Sequence, residues 1–218
     1  MVKVKRFAGI CMDGYPFILL FVGLTSFAFY MHATIVGVAF SVLSVWCIWF
    51  FRDPERELPA GEHVLASPAD GKVIEIKEVE YPYLLTGKAR KISIFMNIFS
   101  VHVNRSPIEG KVIGLKYHEG KFMGAFKEKA SLENEQMGVA LEHHGQKILF
   151  VQIAGLIARR IICRAKMDEV LQKGERYGLI RFGSRLDLYV PLDTKIEVQV
   201  GQKVFAGKSI IGEIAWQD

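Results

Sequence analysis

The chain has 218 residues, half of them hydrophobic, and its 28 Lys and Arg outnumber its 23 Asp and Glu for a formal net charge of +5. That length holds one domain with an appendage. The basic excess suits an anionic lipid surface, while the lack of a Lys/Arg stripe interleaved with aromatics, and of zinc-finger spacing, sets nucleic acid aside as a partner. Three scattered cysteines, Cys11, Cys47 and Cys163, exclude a disulfide framework and a cysteine-based metal site and fit a reducing compartment.

After Lys3, Lys5 and Arg6 comes an apolar run, Pro16–Tyr30, of about 15 residues, and after Met31-His32 a second, Ala33–Phe51, of about 19. The second is long enough to span a bilayer and the first is at the short end. A basic start before a short apolar stretch also fits a signal peptide, but a second apolar run directly after it argues against cleavage and export. Basic residues flank the pair on both outer sides (Arg52 and Arg56 follow it), which predicts a helical membrane hairpin, residues 1–53, with both ends cytoplasmic. Trp46, Trp49, Phe50 and Phe51 stand where an interfacial aromatic belt would lie. A shallow re-entrant hairpin is the other geometry open to this pattern.

From residue 54 the pattern changes to short alternating segments separated by glycine turns: Lys72–Val79, Lys91–Phe95, Lys111–Tyr117, Met137–Glu142, Lys147–Ile153 and Arg160–Arg164. Two or three more strands are expected within Lys195–Trp216, and only Met167–Gln172 reads as helix. The expectation is a mainly β, barrel-sandwich-like domain over residues 54–218. An internal pseudo-repeat supports it: Ser67-Pro-Ala-Asp-Gly-Lys-Val-Ile74 is echoed by Ser106-Pro-Ile-Glu-Gly-Lys-Val-Ile113. The segment Val200–Gly212 has the turn-strand-turn pattern of biotinyl and lipoyl carrier domains.

Near the C-terminus two alternating runs, Leu179–Phe182 and Leu186–Val190, flank Gly183-Ser184 with almost no polar turn material. The ordinary meaning of such a pair is a bulge in a hairpin. Gly183 can also take backbone angles that leave its carbonyl uncovered, within reach of the Ser184 hydroxyl. Two further residues give this meaning. Asp70, in Ser-Pro-Ala-Asp-Gly, holds a carboxylate at a strand start, where it could equally bond its own turn. His102, in Phe99-Ser-Val-His-Val-Asn-Arg-Ser-Pro107, shares the polar side of the alternation with Ser100 and Asn104. Together Ser184, His102 and Asp70 supply a nucleophile, a base and an orienting carboxylate, without the Gly-x-Ser-x-Gly elbow of a hydrolase. Arg159-Arg160 could hold a phosphate or carboxylate, or simply be solvated. His143-His144 looks like an exposed turn; with no third ligand at a suitable spacing, no metal is assigned.

In these motifs, above all Arg181-Phe-Gly-Ser-Arg-Leu-Asp187, the chain resembles the phosphatidylserine decarboxylase proenzymes in their short, type A form. The likeness runs through the whole chain, including the apolar N-terminus and Phe51-Arg-Asp-Pro-Glu-Arg56. It implies a self-processing zymogen. Ser184 attacks the Gly183 carbonyl, with His102 oriented by Asp70 taking the proton. The ester eliminates to leave a β chain of residues 1–183 and a dehydroalanine, and hydrolysis releases ammonia to give a pyruvoyl group on an α chain of residues 184–218. The pyruvoyl cofactor would form a Schiff base with phosphatidylserine in the membrane and serve as electron sink for loss of carbon dioxide. The long-branch histidine three positions before the catalytic one is Phe99 here, so its role does not transfer. The resemblance implies a cell-membrane enzyme of phospholipid biosynthesis, facing the cytoplasm, that works as a heterodimer of its two cleaved chains, with higher oligomers left open. Other readings are a related serine lipid (archaetidylserine) as substrate, a pyruvoyl decarboxylase of a soluble amino acid, which would need no anchor, and a non-enzymatic membrane-anchored β-barrel binding module.

Overall fold

The computed structural model describes residues 4–120, 134–155, 160–181 and 184–215. They divide into two compact units, Val4–Glu55 and the chain from Arg56 onward.

The first unit opens with a small hairpin, β1 (Arg6–Phe7) and β2 (Ile10–Cys11), turned at Ala8 and Gly9 with positive φ at both. A 3-10 turn, Met12–Gly14, leads into α1 (Tyr15–Tyr30), which carries Pro16 in its first turn, where a missing N–H costs nothing. α2 (Thr34–Phe50) follows after a tight reversal in which Ala33 N donates to Ala28 O at 2.9 Å. The helices pack closely where Gly37 meets Phe29; a Cβ on Gly37 would lie 2.9 Å from that ring. Many of their large apolar side chains, among them Leu19, Leu20, Phe27, Ile35 and Val45, point outward, as in helices that are apolar all round.

Here the relative lengths depart from the sequence expectation. The first apolar segment, Met12–Tyr30, is the one with the length and composition to cross a membrane, at 19 residues, whereas α2 has 17. α2 stops early for local reasons. The residue before Pro54 disfavours helical angles. Arg52 folds back, stacking its guanidinium 4.2 Å from the Trp49 ring and donating to the Trp49 carbonyl at 2.6 Å.

The second unit is built from β3 (Val64–Ala66), β4 (Gly71–Glu80), β5 (Lys88–Met96), β6 (Val103–Arg105), β7 (Gly110–His118), β8 (Gln136–His143), β9 (Gln146–Ala154), β10 (Ile161–Cys163), β11 (Val170–Leu171), β12 (Arg176–Ile180), β13 (Ser184–Val190), β14 (Lys195–Ile196), β15 (Lys203–Val204) and β16 (Ile210–Glu213). A curled eight-stranded antiparallel sheet runs β11-β7-β8-β9-β13-β5-β4-β15, and two three-stranded sheets, β10-β12-β6 and β14-β16-β3, pack on its inner face. That layer buries Leu65, Ile94, Met96, Phe150, Tyr177, Ile180, Leu186, Leu188 and Ile211 together. On the outer face Leu149, Val151, Ile153 and Tyr189 form a smaller cluster under Leu85. The mainly β, sandwich-like expectation is met.

Two local expectations fail. Met167–Gln172 is a turn followed by β11; six residues cannot hold a helix alone, and this segment instead pairs with the edge of β7. The runs on either side of Gly183-Ser184 are not a hairpin. β12 pairs with β10 and β6, while β13 pairs with β5 and β9. The dipeptide therefore joins two different sheets.

The pseudo-repeat is structural. Ser67 Oγ donates to Ala69 O and Ser106 Oγ to Ile108 O, both at 2.7 Å, so each serine closes the same turn. β4 and β7 follow these turns, and both carry a register shift two residues on, after Val73 and after Val112. The strand order of the large sheet is accordingly palindromic, β11-β7-β8-β9 against β15-β4-β5-β13.

Candidate active site

Ser184 is the first residue of β13 and sits directly between Met96, the last of β5, and Ala154, the last of β9. Every residue of β13 is buried, Ser184 completely. Alternation sends Ser184, Leu186 and Leu188 to the inner face, and there the Ser184 hydroxyl lies 3.9 Å from the Met96 sulfur. The same sulfur lies 3.6 Å from Asn104 Nδ2, and Asn104 Oδ1 accepts from Gln152 Nε2 at 2.9 Å. All four side chains are fully buried. Gly178 makes room for this layer: a Cβ there would come 2.7 Å from Gln152 Nε2 and 2.6 Å from the Ile162 carbonyl oxygen.

His102 is also completely buried, although a polar strand face suggests solvent. Its Nδ1 lies 2.9 Å from the Ser100 carbonyl oxygen. A carbonyl can only accept, so in the neutral ring the hydrogen sits on Nδ1 and the basic lone pair on Nε2. The His102 carbonyl accepts from Ile180 N at 3.3 Å, which places the histidine beside the end of β12, where the chain turns toward Ser184.

Asp70 closes the turn before β4. Its Oδ1 accepts from Ala206 N at 2.7 Å and its Oδ2 from Arg56 Nη2 at 2.9 Å, largely out of solvent. Lys72 stands opposite Phe95, so Asp70 falls just beyond the same strand ends that hold Met96 and Ser184. The register thus gathers Asp70, Met96, Ala154 and Ser184 at one end of the large sheet. Arg160 is exposed at this end, its carbonyl accepting from Arg181 N at 3.4 Å. Gly183 and Arg159 lie outside the described residues.

Met96, Asn104 and Gln152 were not singled out by sequence reasoning, but Gln152 gives a signal: it is the one amide inside the apolar run Ile148–Ala154. His143 and His144 lie at the opposite end of β9. His144 and Gly145 form its two-residue turn, and His143 is buried rather than exposed. They border a cavity of about 520 Å³ with Glu62, Glu109 and Lys173. Among the described residues no three acidic, histidine or cysteine side chains are placed to hold a metal ion.

A buried serine at the head of a central strand, at a crossover between two sheets and beside a buried histidine, defines a class in which the chain itself supplies the reacting group. A family model described as phosphatidylserine decarboxylase matches residues 43–212. The chain is 47% identical over 207 residues to a protein of Magnetococcus marinus, covering 94% of this chain and 95% of that one. It is 48% identical to one of Citrifermentans bemidjiense (93% and 95% covered) and 47% identical to one of Rickettsia typhi (92% and 88%). Each of the three is named phosphatidylserine decarboxylase proenzyme. The chain belongs to the phosphatidylserine decarboxylase family.

Proposed function

We propose that the chain is a self-processing proenzyme that becomes a phosphatidylserine decarboxylase, yielding phosphatidylethanolamine and carbon dioxide at a membrane. The observation that carries this reading is the seat of Ser184: a fully buried hydroxyl whose recorded neighbour is a thioether, at the crossover preceding β13. A sulfur is a weak acceptor, so it leaves the hydroxyl available to a base and binds it little. His102, with its Nδ1 committed to Ser100, presents Nε2 as that base. Asp70 is the orienting carboxylate, itself fixed by Arg56 and the Ala206 amide. Cleavage before residue 184 divides the chain into 1–183 and 184–218, which stay together because β13 is paired on both sides.

The seat also fits the pyruvoyl group that the family implies at position 184. Conversion of the serine exchanges a CH2OH for a methyl, and Met96 with the small Ala154 opposite offers an apolar place for one. The group supplies a carbonyl that takes up the substrate amine and the electrons freed on decarboxylation. The chain's own part is to hold that carbonyl in a water-poor layer at the strand end. The apolar helices of the first unit would keep the enzyme at the bilayer that holds its substrate, with the catalytic unit on the cytoplasmic face.

A denaturing gel with intact-mass measurement tests the reading. A fragment of residues 184–218 with a blocked, carbonyl-reactive N-terminus is the expected result, with carbon dioxide released from phosphatidylserine. Ser184→Ala should remain one inactive chain. A wild-type chain that never divides would overturn the proposal.

A further inference from the structure

The pseudo-symmetry of the large sheet contains one break in charge, and it lies at the Ser184 end. In one half Lys111 stands opposite Glu142 on β8 and pairs with Asp168 at 2.9 Å. Asp168 occupies a turn of positive φ whose N–H bonds the Val112 carbonyl. In the other half the equivalent lysine is Lys72. Opposite it on β5 stands Phe95 where the first half has Glu142. Gly201, whose N–H bonds the Val73 carbonyl from a turn of positive φ, takes the place of Asp168. On its outer side Lys72 has Lys203 as register partner, where Lys111 has Val170. Both carboxylates are gone and a second cation is added.

Like charges directly opposite on neighbouring strands repel. Neither Lys72 nor Lys203 has a recorded carboxylate partner among the described residues, and the Lys203 ammonium instead sits 5.3 Å from the centre of the Phe205 ring. The two lysines border a groove of about 360 Å³ floored by Gly71 and Gly201 and lined further by Asn97 and Ser100. Gly71 follows Asp70, and Ser100 is the residue whose carbonyl holds His102. The groove therefore runs from the outer face around the strand ends to the loop that carries His102. Lys72 and Ser184 are two strands apart, about 10 Å, a gap that a lysine side chain and a serine headgroup bridge together.

We infer that Lys72 and Lys203 form the subsite for the anionic phosphodiester of the substrate. This rests on the function proposed above and names the contact that positions its headgroup. An ammonium with three rotating donors suits a phosphodiester oxygen, and an anion between the lysines relieves their repulsion. The glycine floor lets the phosphodiester lie close to the backbone.

The test is the double variant Lys72→Gln/Lys203→Gln, first scored for chain division on a gel and then assayed on short-chain phosphatidylserine dissolved as monomers. Division should be unchanged, kcat should stay within about threefold, and KM should rise roughly tenfold or more, as for loss of two charge-assisted contacts. Lys72→Arg/Lys203→Arg should recover most of the KM. Glycerophosphoserine and inorganic phosphate should both shift NMR signals of the processed wild type near Gly71 and Gly201, and neither should do so in the Gln variant. An unaltered KM in a Gln variant that divides normally would overturn the subsite and leave the decarboxylase reading standing. A loss seen only in binding to phosphatidylglycerol vesicles would also overturn it, assigning the lysines to the membrane surface. A wild-type chain that neither divides nor releases carbon dioxide would instead overturn the function on which the subsite rests.

Discussion

The Ser184 hydroxyl and the Met96 sulfur are 3.9 Å apart in a layer closed to solvent, and Asn104 Nδ2 approaches the same sulfur at 3.6 Å. Met96 thus fixes the serine by shape while holding its proton weakly. Met96→Leu keeps the volume and should cost less than about 1.5 kcal/mol of stability with little change in chain division. Met96→Gln sets a strong acceptor against the hydroxyl. An added hydrogen bond of about 1 kcal/mol in the ground state should slow division roughly fivefold. Time courses on denaturing gels separate the two variants, and equal rates would show that the acceptor strength at this position is irrelevant.

Gly178 is needed for space. It sits in the middle of β10-β12-β6, and a side chain there would strike both the Ile162 carbonyl and the Gln152 amide. Gly178→Ala should destabilise the second unit by about 1–3 kcal/mol, as overpacking does, and should displace Gln152 from Asn104. Pairing it with Gln152→Ala removes one of the two collisions, so the double variant should recover part of the loss in a urea titration. Equal midpoints for the single and double variants would exclude a clash with Gln152.

The strands and the repeat were legible in the sequence because both rest on local chemistry. Alternation marked β4, β5 and β7 to β9, and the two Ser-Pro turns announced the pseudo-symmetry, since each serine hydroxyl closes its turn within two residues. The candidate triad was legible only through motif likeness. Nothing local in Val101-His102-Val103 says that the histidine is buried, because the covering strand, β12, lies far along the chain. The crossover at Gly183-Ser184 was misread as a hairpin for the same reason: two adjacent alternating runs look alike whether they pair with each other or with strands elsewhere. Met96 and Gln152 were passed over because a methionine and a lone amide in apolar strands look like packing until the register sets them beside Ser184.

Arg185 and Asp187 follow Ser184 on the opposite side of β13, nearly inaccessible, with Arg185 Nη2 donating to Asp187 Oδ2 at 2.9 Å and Nε 2.9 Å from Oδ1. After division these would be the second and fourth residues of the short chain. Asp187→Ala strands a buried guanidinium and should cost about 3–5 kcal/mol. Arg185→Met/Asp187→Leu removes both charges and should cost far less. Urea titration of Ser184→Ala backgrounds measures this without interference from chain division. A double variant as unstable as the single one would mean that Arg185 and Asp187 do not act as a pair.

His143 supplies a pH dependence of stability. Burial pushes its imidazole below the usual histidine range, and neighbouring His144 adds to the effect, against weaker opposing influence from Glu109 and Glu62. A depressed histidine binds its proton more readily in the unfolded chain. Between the folded value and the ordinary one near 6.5, the unfolded state therefore carries more protons, and stability falls as the pH is lowered through that window. Above about 6.5 both states are neutral at this site and its contribution is flat. One group can contribute at most about 1.4 kcal/mol per pH unit. Urea midpoints of Ser184→Ala and of Ser184→Ala/His143→Gln, measured from pH 7.5 to 5, should diverge below pH 6.5, with the His143→Gln variant losing less. Parallel curves would show that His143 is not the group that titrates.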